Sequence, residues 1–299
     1  MPCCGLSQYT SGAGGFLSLE KYKTDRRHGH TKIGDLNDDG LPDIALSGLA
    51  IAGDESVLMI NNPKNPGQSF SLRSFGDGIS IDQVAIADLN NDGRNDLAVT
   101  SRESLFVYLQ DSQPAKPGNY TIGGTYDVSP ETVSTTVKIV IAELNNDSLP
   151  DMAIASVGDK SWISVHIQDA QSNGEFLPAG YYKGENLAID EMAIADLNND
   201  MLPDIAVSHN TPNTLAKFGG ISILFQDQKN PGTFLPSVTY PSETFNGDVA
   251  LDDLNGDGLT DMVSFQYDRS YFSVMPGEVY IRFQDVSNPG VFSDPVVLP

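Results

Sequence analysis

One nine-residue acidic segment occurs five times in this chain of 299 residues. The copies are DLNDDGLPD at 35–43, DLNNDGRND at 88–96, ELNNDSLPD at 143–151, DLNNDMLPD at 196–204 and DLNGDGLTD at 253–261. Their starts are separated by 53, 55, 53 and 57 residues. Self-similarity at a period of this length is typical of a chain built from one small structural unit. We therefore expect a single repeat domain in which each unit packs on its neighbours.

Each repeat carries the signals of four short β-strands. Small apolar residues alternate before the acidic segment, as in 84–87 and 192–195, and a second apolar run follows it. A longer third run ends in Gln-Asp in the last four repeats. After a turn rich in Pro, Gly and Asn, an aromatic residue opens a fourth run: Phe70, Tyr120, Phe176, Phe234 and Phe292. Apolar alternation between Gly and Pro turns predicts strands, so we expect an all-β fold.

Four strands at this period predict a β-propeller of five four-stranded blades. The small residues of the first strands suit the crowded position beside the propeller axis, and the bulkier later strands suit the wider space between blades. An open stack would leave two exposed sheet ends that need caps, so we expect a closed ring. The predicted blades cover about 32–75, 84–127, 137–183, 192–240 and 249–299.

The N-terminal region does not fit a count of five. Residues 1–14 are predicted to be a flexible segment that holds Cys3 and Cys4, whose role stays open. Residues 15–22 resemble the later fourth strands, so the propeller domain at 15–299 would have a surplus outer strand. That strand either closes the ring within the chain or docks on the sheet edge of another copy. A chain that is a fragment of a longer protein would also explain the surplus.

The charge balance disfavours two kinds of partner. Lys and Arg number 17 against 40 Asp and Glu, which gives a formal net charge of −23. Nucleic acids and anionic membranes both need a basic face, so neither is expected as a partner. No apolar run approaches the roughly 20 residues of a membrane-spanning helix. The N-terminus also lacks the apolar stretch of a signal peptide.

The acidic segments have the spacing of metal-binding loops. Oxygen-bearing side chains occupy positions 1, 3, 5 and 9, and position 7 can offer its main-chain carbonyl. Six or seven hard oxygen ligands suit Ca²⁺, whereas Mg²⁺ requires a stricter octahedron and is the weaker candidate. The candidate ligands are Asp35, Asn37, Asp39, Leu41 and Asp43; Asp88, Asn90, Asp92, Arg94 and Asp96; Glu143, Asn145, Asp147, Leu149 and Asp151; Asp196, Asn198, Asp200, Leu202 and Asp204; and Asp253, Asn255, Asp257, Leu259 and Asp261.

Up to five Ca²⁺ ions are therefore expected, since three carboxylates within nine residues repel one another without a cation. Glycine at position 6 of segments one, two and five supplies the positive φ that the chain reversal needs. Ser148 and Met201 occupy this position in the other two segments. A non-Gly residue at positive φ costs about 1 kcal/mol or more. We expect weaker binding at 143–151 and 196–204.

An EF-hand is excluded as the source of this spacing. It requires a bidentate Glu at position 12 and flanking helices. The twelfth positions are Leu46, Val99, Ile154, Val207 and Ser264, and predicted strands flank every segment.

The pattern D-x-N-x-D-G-x-x-D between two short strands resembles the FG-GAP/VCBS repeat of integrin α-subunit propellers and bacterial surface proteins. The resemblance covers residues 15–299, and the bacterial VCBS-like branch is the closer match. It implies a β-propeller with Ca²⁺ in its hairpin loops and a location outside the cell. It also implies a role in adhesion, in recognition or beside carbohydrate chemistry.

The sequence offers little for catalysis. His28 and His30 lie in a basic segment before the first predicted blade, which we interpret as a solvated linker. His166 and His209 lack acid–base partners nearby in the sequence. No nucleophile elbow, zinc-protease motif or phosphate-binding glycine loop occurs. The acidic segments recur in every repeat, whereas a catalytic centre is normally unique, so we expect a non-enzymatic protein.

Three roles remain open. A rigid propeller with variable loops favours an adhesion or recognition module for a protein or glycan ligand. The surplus N-terminal strand favours a structural subunit of an extracellular filament that polymerises with copies of itself. The third role is a non-catalytic part of a carbohydrate-active protein. Open loops of this composition bind Ca²⁺ at roughly 10⁻⁴ to 10⁻³ M, as extracellular modules do, so we expect an extracellular or cell-surface location.

Overall fold

The computed structural model describes residues 28–48, 56–67, 69–75, 79–111, 118–158, 160–184, 188–210, 219–242, 245–267, 269–270, 273–274 and 277–298. Within these ranges the chain forms five four-stranded antiparallel sheets and one two-stranded ribbon. The predicted flexible segment 1–14 and the predicted strand 15–22 lie outside the described residues. In the described part of the chain, no helix is long and apolar enough to cross a membrane.

The sheets follow one another in chain order and are numbered 1 to 5. Sheet 1 contains β1 (His28–Gly34), β2 (Asp43–Gly48), β3 (Ser56–Asn61) and β4 (Phe70–Phe75). Sheet 2 contains β5 (Gln83–Ala87), β6 (Asp96–Ser101), β7 (Ser104–Gln110) and β8 (Tyr120–Asp127). Sheet 3 contains β9 (Val133–Ala142), β10 (Asp151–Gly158), β11 (Ser161–His166) and β12 (Gly180–Gly184). Sheet 4 contains β13 (Ala188–Ala195), β14 (Asp204–Asn210), β15 (Gly219–Leu224) and β16 (Val238–Ser242). Sheet 5 contains β17 (Phe245–Asp252), β18 (Asp261–Tyr267), β21 (Glu278–Arg282) and β22 (Val296–Leu298), and the ribbon pairs β19 (Arg269–Ser270) with β20 (Ser273–Val274).

The apolar core lies between consecutive sheets. Leu97 and Val99 on one face of sheet 2 pack with Leu58 and Ile60 of sheet 1. Three further clusters of this kind join sheets 2 and 3, sheets 3 and 4, and sheets 4 and 5. The first strands β1, β5, β9, β13 and β17 lie side by side in that order. This arrangement confirms the predicted all-β propeller of five four-stranded blades.

Closure of the ring is a separate question. Among the described residues, no packing comparable to that between neighbouring first strands joins β17 of sheet 5 to β1 of sheet 1. The closed ring therefore stays a prediction. Its closure by the strand at 15–22 also stays a prediction, since that strand lies outside the described residues.

The fourth strands differ from the expectation in sheets 3, 4 and 5. In sheets 1 and 2 the aromatic residue begins the strand, as predicted. In the other three sheets it makes only an isolated bridge, Gln168 with Phe176, Gln226 with Phe234 and Gln284 with Phe292. The continuous strand begins only after Pro178, Pro236 or Pro295. Proline has no N–H to donate, so the ladder is interrupted at each of these positions.

The basic segment before the first predicted blade is part of β1, not a linker. The strand begins at His28, which pairs with Gly48. The N–H of His30 donates to Ser47 Oγ at 2.9 Å, and the His30 ring lies 2.8 Å from the amide nitrogen of Gln83. The expectation failed because the register shifts between His28 and Thr31, which hides the alternation in the sequence.

Candidate metal-binding loops

The five acidic segments form the turns between the first and second strands of their sheets. Strand pairing fixes both ends of each turn, as where Ala87 lies opposite Asp96 and Ala195 lies opposite Asp204. Because every copy occupies the same connection, all five loops emerge from the same end of their sheets. The structure thus places every predicted ligand position in one of five equivalent turns.

The carboxylate at position 1 organises each turn. Asp35 accepts backbone N–H bonds from Asp39 at 3.2 Å and from Gly40 at 2.7 Å. The N–H groups of positions 5 and 6 donate in the same way, at 2.7–3.2 Å, to Asp88, Asp196 and Asp253. Glu143, which is one methylene longer, accepts from positions 3 and 5 of its loop at 2.9 and 3.2 Å. The main chain therefore holds this carboxylate against the inside of the turn.

Positions 3 and 5 are bonded to each other. Asn37 Oδ1 accepts the N–H of Asp39 at 3.2 Å, and the Asn37 amide donates to Asp39 Oδ2 at 3.0 Å. The other carboxylate oxygen of Asp39 accepts the N–H of Leu41 at 2.9 Å. Both backbone bonds recur in the other loops, at Asn90 and Asp92, Asn145 and Asp147, Asn198 and Asp200, and Asn255 and Asp257. Positions 1, 3 and 5 are thus brought together in every copy.

Position 7 contributes its N–H to position 5, while its carbonyl as a ligand stays a prediction. The residues concerned are Leu41, Arg94, Leu149, Leu202 and Leu259. In the second loop the Arg94 guanidinium also forms an ion pair with Asp92. A cation bound in that loop must therefore compete with this guanidinium for the Asp92 carboxylate.

Position 9 has a role in the fold that its spacing did not indicate. Asp43 is fully buried, and its two carboxylate oxygens accept the N–H of Leu36 at 2.9 Å and of Asn61 at 2.6 Å. The same two bonds, to loop position 2 and to the residue after the third strand's apolar run, are made by Asp96, Asp151, Asp204 and Asp261. These carboxylates tie the loop to the third strand. Their place among the metal ligands stays a prediction.

Burial changes the proton affinity of the position 9 carboxyls. It raises the pKa of Asp96 and of Asp151 to about 6 and that of Asp204 to about 7, against the lowering effect of their backbone N–H bonds. Burial also raises the pKa of Asp43. By contrast, N–H bonds, that of Gly258 first, lower the pKa of the exposed Asp253 at position 1. The loop therefore holds its charge at the exposed positions.

The donor set of each loop fits a hard cation. Positions 1, 3 and 5 supply carboxylate and amide oxygens only, and Ca²⁺ prefers such ligands with water completing the shell. Among the described residues, no three His, Cys, Asp or Glu side chains form a group that could hold a metal ion. In every loop the third carboxylate is the buried position 9, and position 3 is an amide. A bound cation would therefore depend on the amide, the main chain and water as well as on two exposed carboxylates.

The backbone at position 6 has the predicted positive φ in all five loops. The values are 81° at Gly40, 85° at Gly93, 68° at Ser148, 67° at Met201 and 86° at Gly258. Position 4 also has positive φ, at Asp38, Asn91, Asn146, Asn199 and Gly256, which the sequence analysis missed. A signal was present, since position 4 is always Asp, Asn or Gly, the residues that tolerate this conformation.

We expect Gly93→Ala to lower the free energy of unfolding by about 1 kcal/mol. A Cβ added at Gly93 meets no heavy atom within 4 Å, so the positive φ alone would cause the loss. Met201→Gly should have the opposite sign, because it relieves the same strain in the fourth loop. Urea unfolding in EDTA measures both. Equal stability of wild type and Gly93→Ala would contradict the strain argument.

Contacts between neighbouring sheets were also missed. Tyr182 and Phe234 pack edge to face with ring centroids 5.5 Å apart, and the N–H of Phe234 donates to the Tyr182 hydroxyl at 2.9 Å. The pairs Tyr126–Phe176 and Tyr240–Phe292 repeat this contact. The regular Phe and Tyr spacing in the fourth runs was the available signal, but it does not say which sheet supplies the partner.

A groove of about 410 Å³ lies beside the fourth loop, between sheets 4 and 5. Its apolar lining includes Phe225, Leu235 and Val291, and its polar lining includes Asp227 and Lys229. Asn198 and Asp200, at positions 3 and 5 of the fourth loop, complete one wall. A ligand in this groove would therefore lie next to a predicted metal site.

The two histidines of the central sheets are buried in the fold. Burial lowers the pKa of His166 and of His209 to about 4, so both rings are neutral near pH 7. His166 Nε2 lies 3.1 Å from Ser164 Oγ, and His209 Nε2 lies 2.9 Å from Ser222 Oγ. His209 belongs to β14, whereas the sequence placed it just past the strand. These contacts give both rings a packing role within their sheets.

These features define a repeat β-propeller with an acidic turn in each blade. A family model described as an FG-GAP-like repeat matches residues 35–99, 88–154 and 196–264, which together exceed half of the chain. The chain belongs to the FG-GAP-like repeat family. No curated protein matches it.

Two solved structures are similar to the chain. One concerns the specific recognition of non-reducing terminal N-acetylglucosamine by an Agrocybe aegerita lectin. It is 16% identical, with 90% of this chain and 79% of that chain covered and a TM-score of 0.37. The other is the Dos1 propeller, which is 13% identical, with 86% of this chain and 58% of that chain covered and a TM-score of 0.48.

Proposed function

We propose that this protein is a non-enzymatic, calcium-dependent recognition module that acts outside the cell or at its surface. An FG-GAP-like propeller suggests a binding or recognition role. Calcium, the extracellular location and the absence of catalysis are the proposal's own additions. The ligand is a glycan or a protein.

The observation that carries the proposal is the fivefold recurrence of one oxygen arrangement. In each loop the same backbone N–H groups hold the carboxylates at positions 1 and 5 and the amide oxygen at position 3. Turn formation alone would not require a carboxylate at both positions, since neutral Asn or Ser side chains make similar turns. Two like charges held in one turn are favourable when a cation neutralises them.

The exposed position of these loops supports an extracellular setting. Asp39, Asp92 and Asp257 at position 5 are exposed. Open sites of this kind bind Ca²⁺ at roughly 10⁻⁴ to 10⁻³ M and would be empty at cytoplasmic calcium levels. The protein would therefore reach its calcium-loaded state outside the cell.

The groove beside the fourth loop is the proposed ligand site. The Leu235 and Val291 side chains are 46% and 43% exposed, so they offer apolar surface to a ligand. Asp227 and Lys229 add one charge of each sign, which suits the hydroxyl groups of a sugar or the side chains of a peptide. Because Asp200 contributes to both the groove and the loop, calcium and ligand binding should be linked.

Binding of labelled protein to an oligosaccharide panel and to a panel of extracellular proteins tests this function. We expect binding in millimolar Ca²⁺, loss of binding in EDTA, and a reduction of about tenfold or more in Leu235→Glu. Leu177→Glu is the matched control, because Leu177 is the equivalent residue of sheet 3 and is 44% exposed. Binding that persists in EDTA and is indifferent to Leu235→Glu would refute both the groove and its dependence on calcium.

A further inference from the structure

The joint between consecutive sheets has two recurring contacts. The first is the leucine at position 2 of each acidic loop, which packs into the cluster shared with the following sheet: Leu36, Leu89, Leu144 and Leu197. The second joins the loop asparagine at position 3 to a turn glycine of the following sheet. A Cβ added at Gly118, Gly174, Gly232 or Gly290 would lie 3.0–3.3 Å from the Cβ of Asn37, Asn90, Asn145 or Asn198.

Sheet 5 presents the loop half of this joint without a partner half among the described residues. Leu254 is 47% exposed, whereas its four equivalents are 0% exposed. Asn255, the equivalent of the four contacting asparagines, is also exposed. We call Asp253, Leu254 and Asn255 the tail surface.

Sheet 1 presents the other half. Ile33 is 68% exposed, whereas its equivalents Ile86, Ile141 and Ile194 pack against the preceding sheet. A Cβ added at Gly67, the turn glycine of sheet 1, would meet no heavy atom within 4 Å. We call Ile33 and the turn 62–67 the head surface. Val57 and Met59 in the third strand of the same sheet are buried, so the free area is limited to the first strand and this turn.

The two surfaces are complementary in charge as well as in shape. The turns of the other sheets begin with an aspartate, Asp111, Asp169, Asp227 or Asp285. The head surface has the neutral Asn62 at this position and carries Lys64. The tail surface and its flanks carry Asp252, Asp253 and Asp257. A lysine and a missing carboxylate therefore occur on the one turn whose partner loop lies at the other end of the chain.

We propose that the tail surface of one molecule docks on the head surface of a second copy, which repeats the joint that already holds the sheets together. The partner is a second copy because, among the described residues, sheets 5 and 1 of one chain share no comparable packing. In the complex Leu254 is covered by sheet 1 of the partner, and Asn255 faces the partner's turn glycine. The contact is head-to-tail, so each copy keeps one free surface for a further copy.

Sedimentation velocity over about 1 µM to 1 mM protein tests the contact. We expect the wild type to form dimers and longer species as concentration rises. Leu254→Asp removes the tail surface and Ile33→Asp removes the head surface, so each variant alone should stay monomeric, with association weakened about tenfold or more. An equimolar mixture should form dimers and nothing longer, because one intact tail and one intact head remain.

Several controls make the outcome decisive. Leu177→Asp, at a similarly exposed leucine of sheet 3, should associate as the wild type does. Melting midpoints check that the variants are folded, and Leu254→Gln with Ile33→Gln replaces the charged pair if they are not. Runs in Ca²⁺ and in EDTA separate this contact from the proposed calcium dependence. A wild type that is monomeric throughout, or a mixture that does not dimerise, would overturn the proposal.

Discussion

We expect the melting midpoint to fall by on the order of 10 °C when EDTA replaces millimolar Ca²⁺. A ligand that binds only the folded state stabilises it by RT ln(1 + [L]/Kd), which is about 1.4 kcal/mol per site at a tenfold excess over Kd. Five sites of this kind would contribute about 7 kcal/mol in total. Five bound ions would also change the formal net charge from −23 to −13, which reduces repulsion among the loops.

Matched Mg²⁺ at the same ionic strength is the control, because it screens charge without suiting a flexible oxygen site. Isothermal titration of Ca²⁺ into the metal-free protein gives the affinities directly. The loops with Ser148 and Met201 at position 6 should bind more weakly than the three with glycine. A midpoint that is the same in Ca²⁺, Mg²⁺ and EDTA would reject calcium as a stabiliser, and sub-micromolar affinity at every site would remove the argument for an extracellular location.

The sequence specified the blades because the information is repeated and local. Each acidic segment fixes a turn, and the apolar runs on either side must pair to bury their side chains. The positive φ at position 6 followed from the glycines of three copies and applied to Ser148 and Met201 as well. Five aligned copies compensated for the weak signal that any single short strand carries.

What the sequence did not reveal depends on contacts between segments far apart in the chain. Asp96 reads as one more ligand in a spaced set, yet its carboxylate is taken up by the N–H groups of Leu89 and Gln110. The fourth strands were placed too early because an aromatic residue signals a strand while a proline two residues later interrupts it, as at Phe176 and Pro178. Neither outcome is contained in the local pattern.

The dual role of the loop carboxylates leads to the sharpest prediction for a single residue. Asp96→Ala should lower the free energy of unfolding in EDTA by about 2–5 kcal/mol, because two buried N–H groups lose their acceptor at once. Asp96 is 0% exposed, and its oxygens lie 2.9 Å and 2.8 Å from the nitrogens of Leu89 and Gln110. Asp96→Asn should cost less, since the amide keeps an acceptor for one of the two groups.

Asp92→Ala in the same loop separates fold from metal. Asp92 is exposed and pairs with Arg94, so its loss in EDTA should cost no more than about 1 kcal/mol. In Ca²⁺ the same variant should lose the additional contribution of its site, about 1.4 kcal/mol at a tenfold excess over Kd. Urea unfolding of wild type, Asp92→Ala and Asp96→Ala in both buffers measures the two effects. If Asp96→Ala and Asp92→Ala cost the same in EDTA, position 9 does not hold the loop to the third strand. If Asp92→Ala costs the same in both buffers, the exposed carboxylate does not bind the ion.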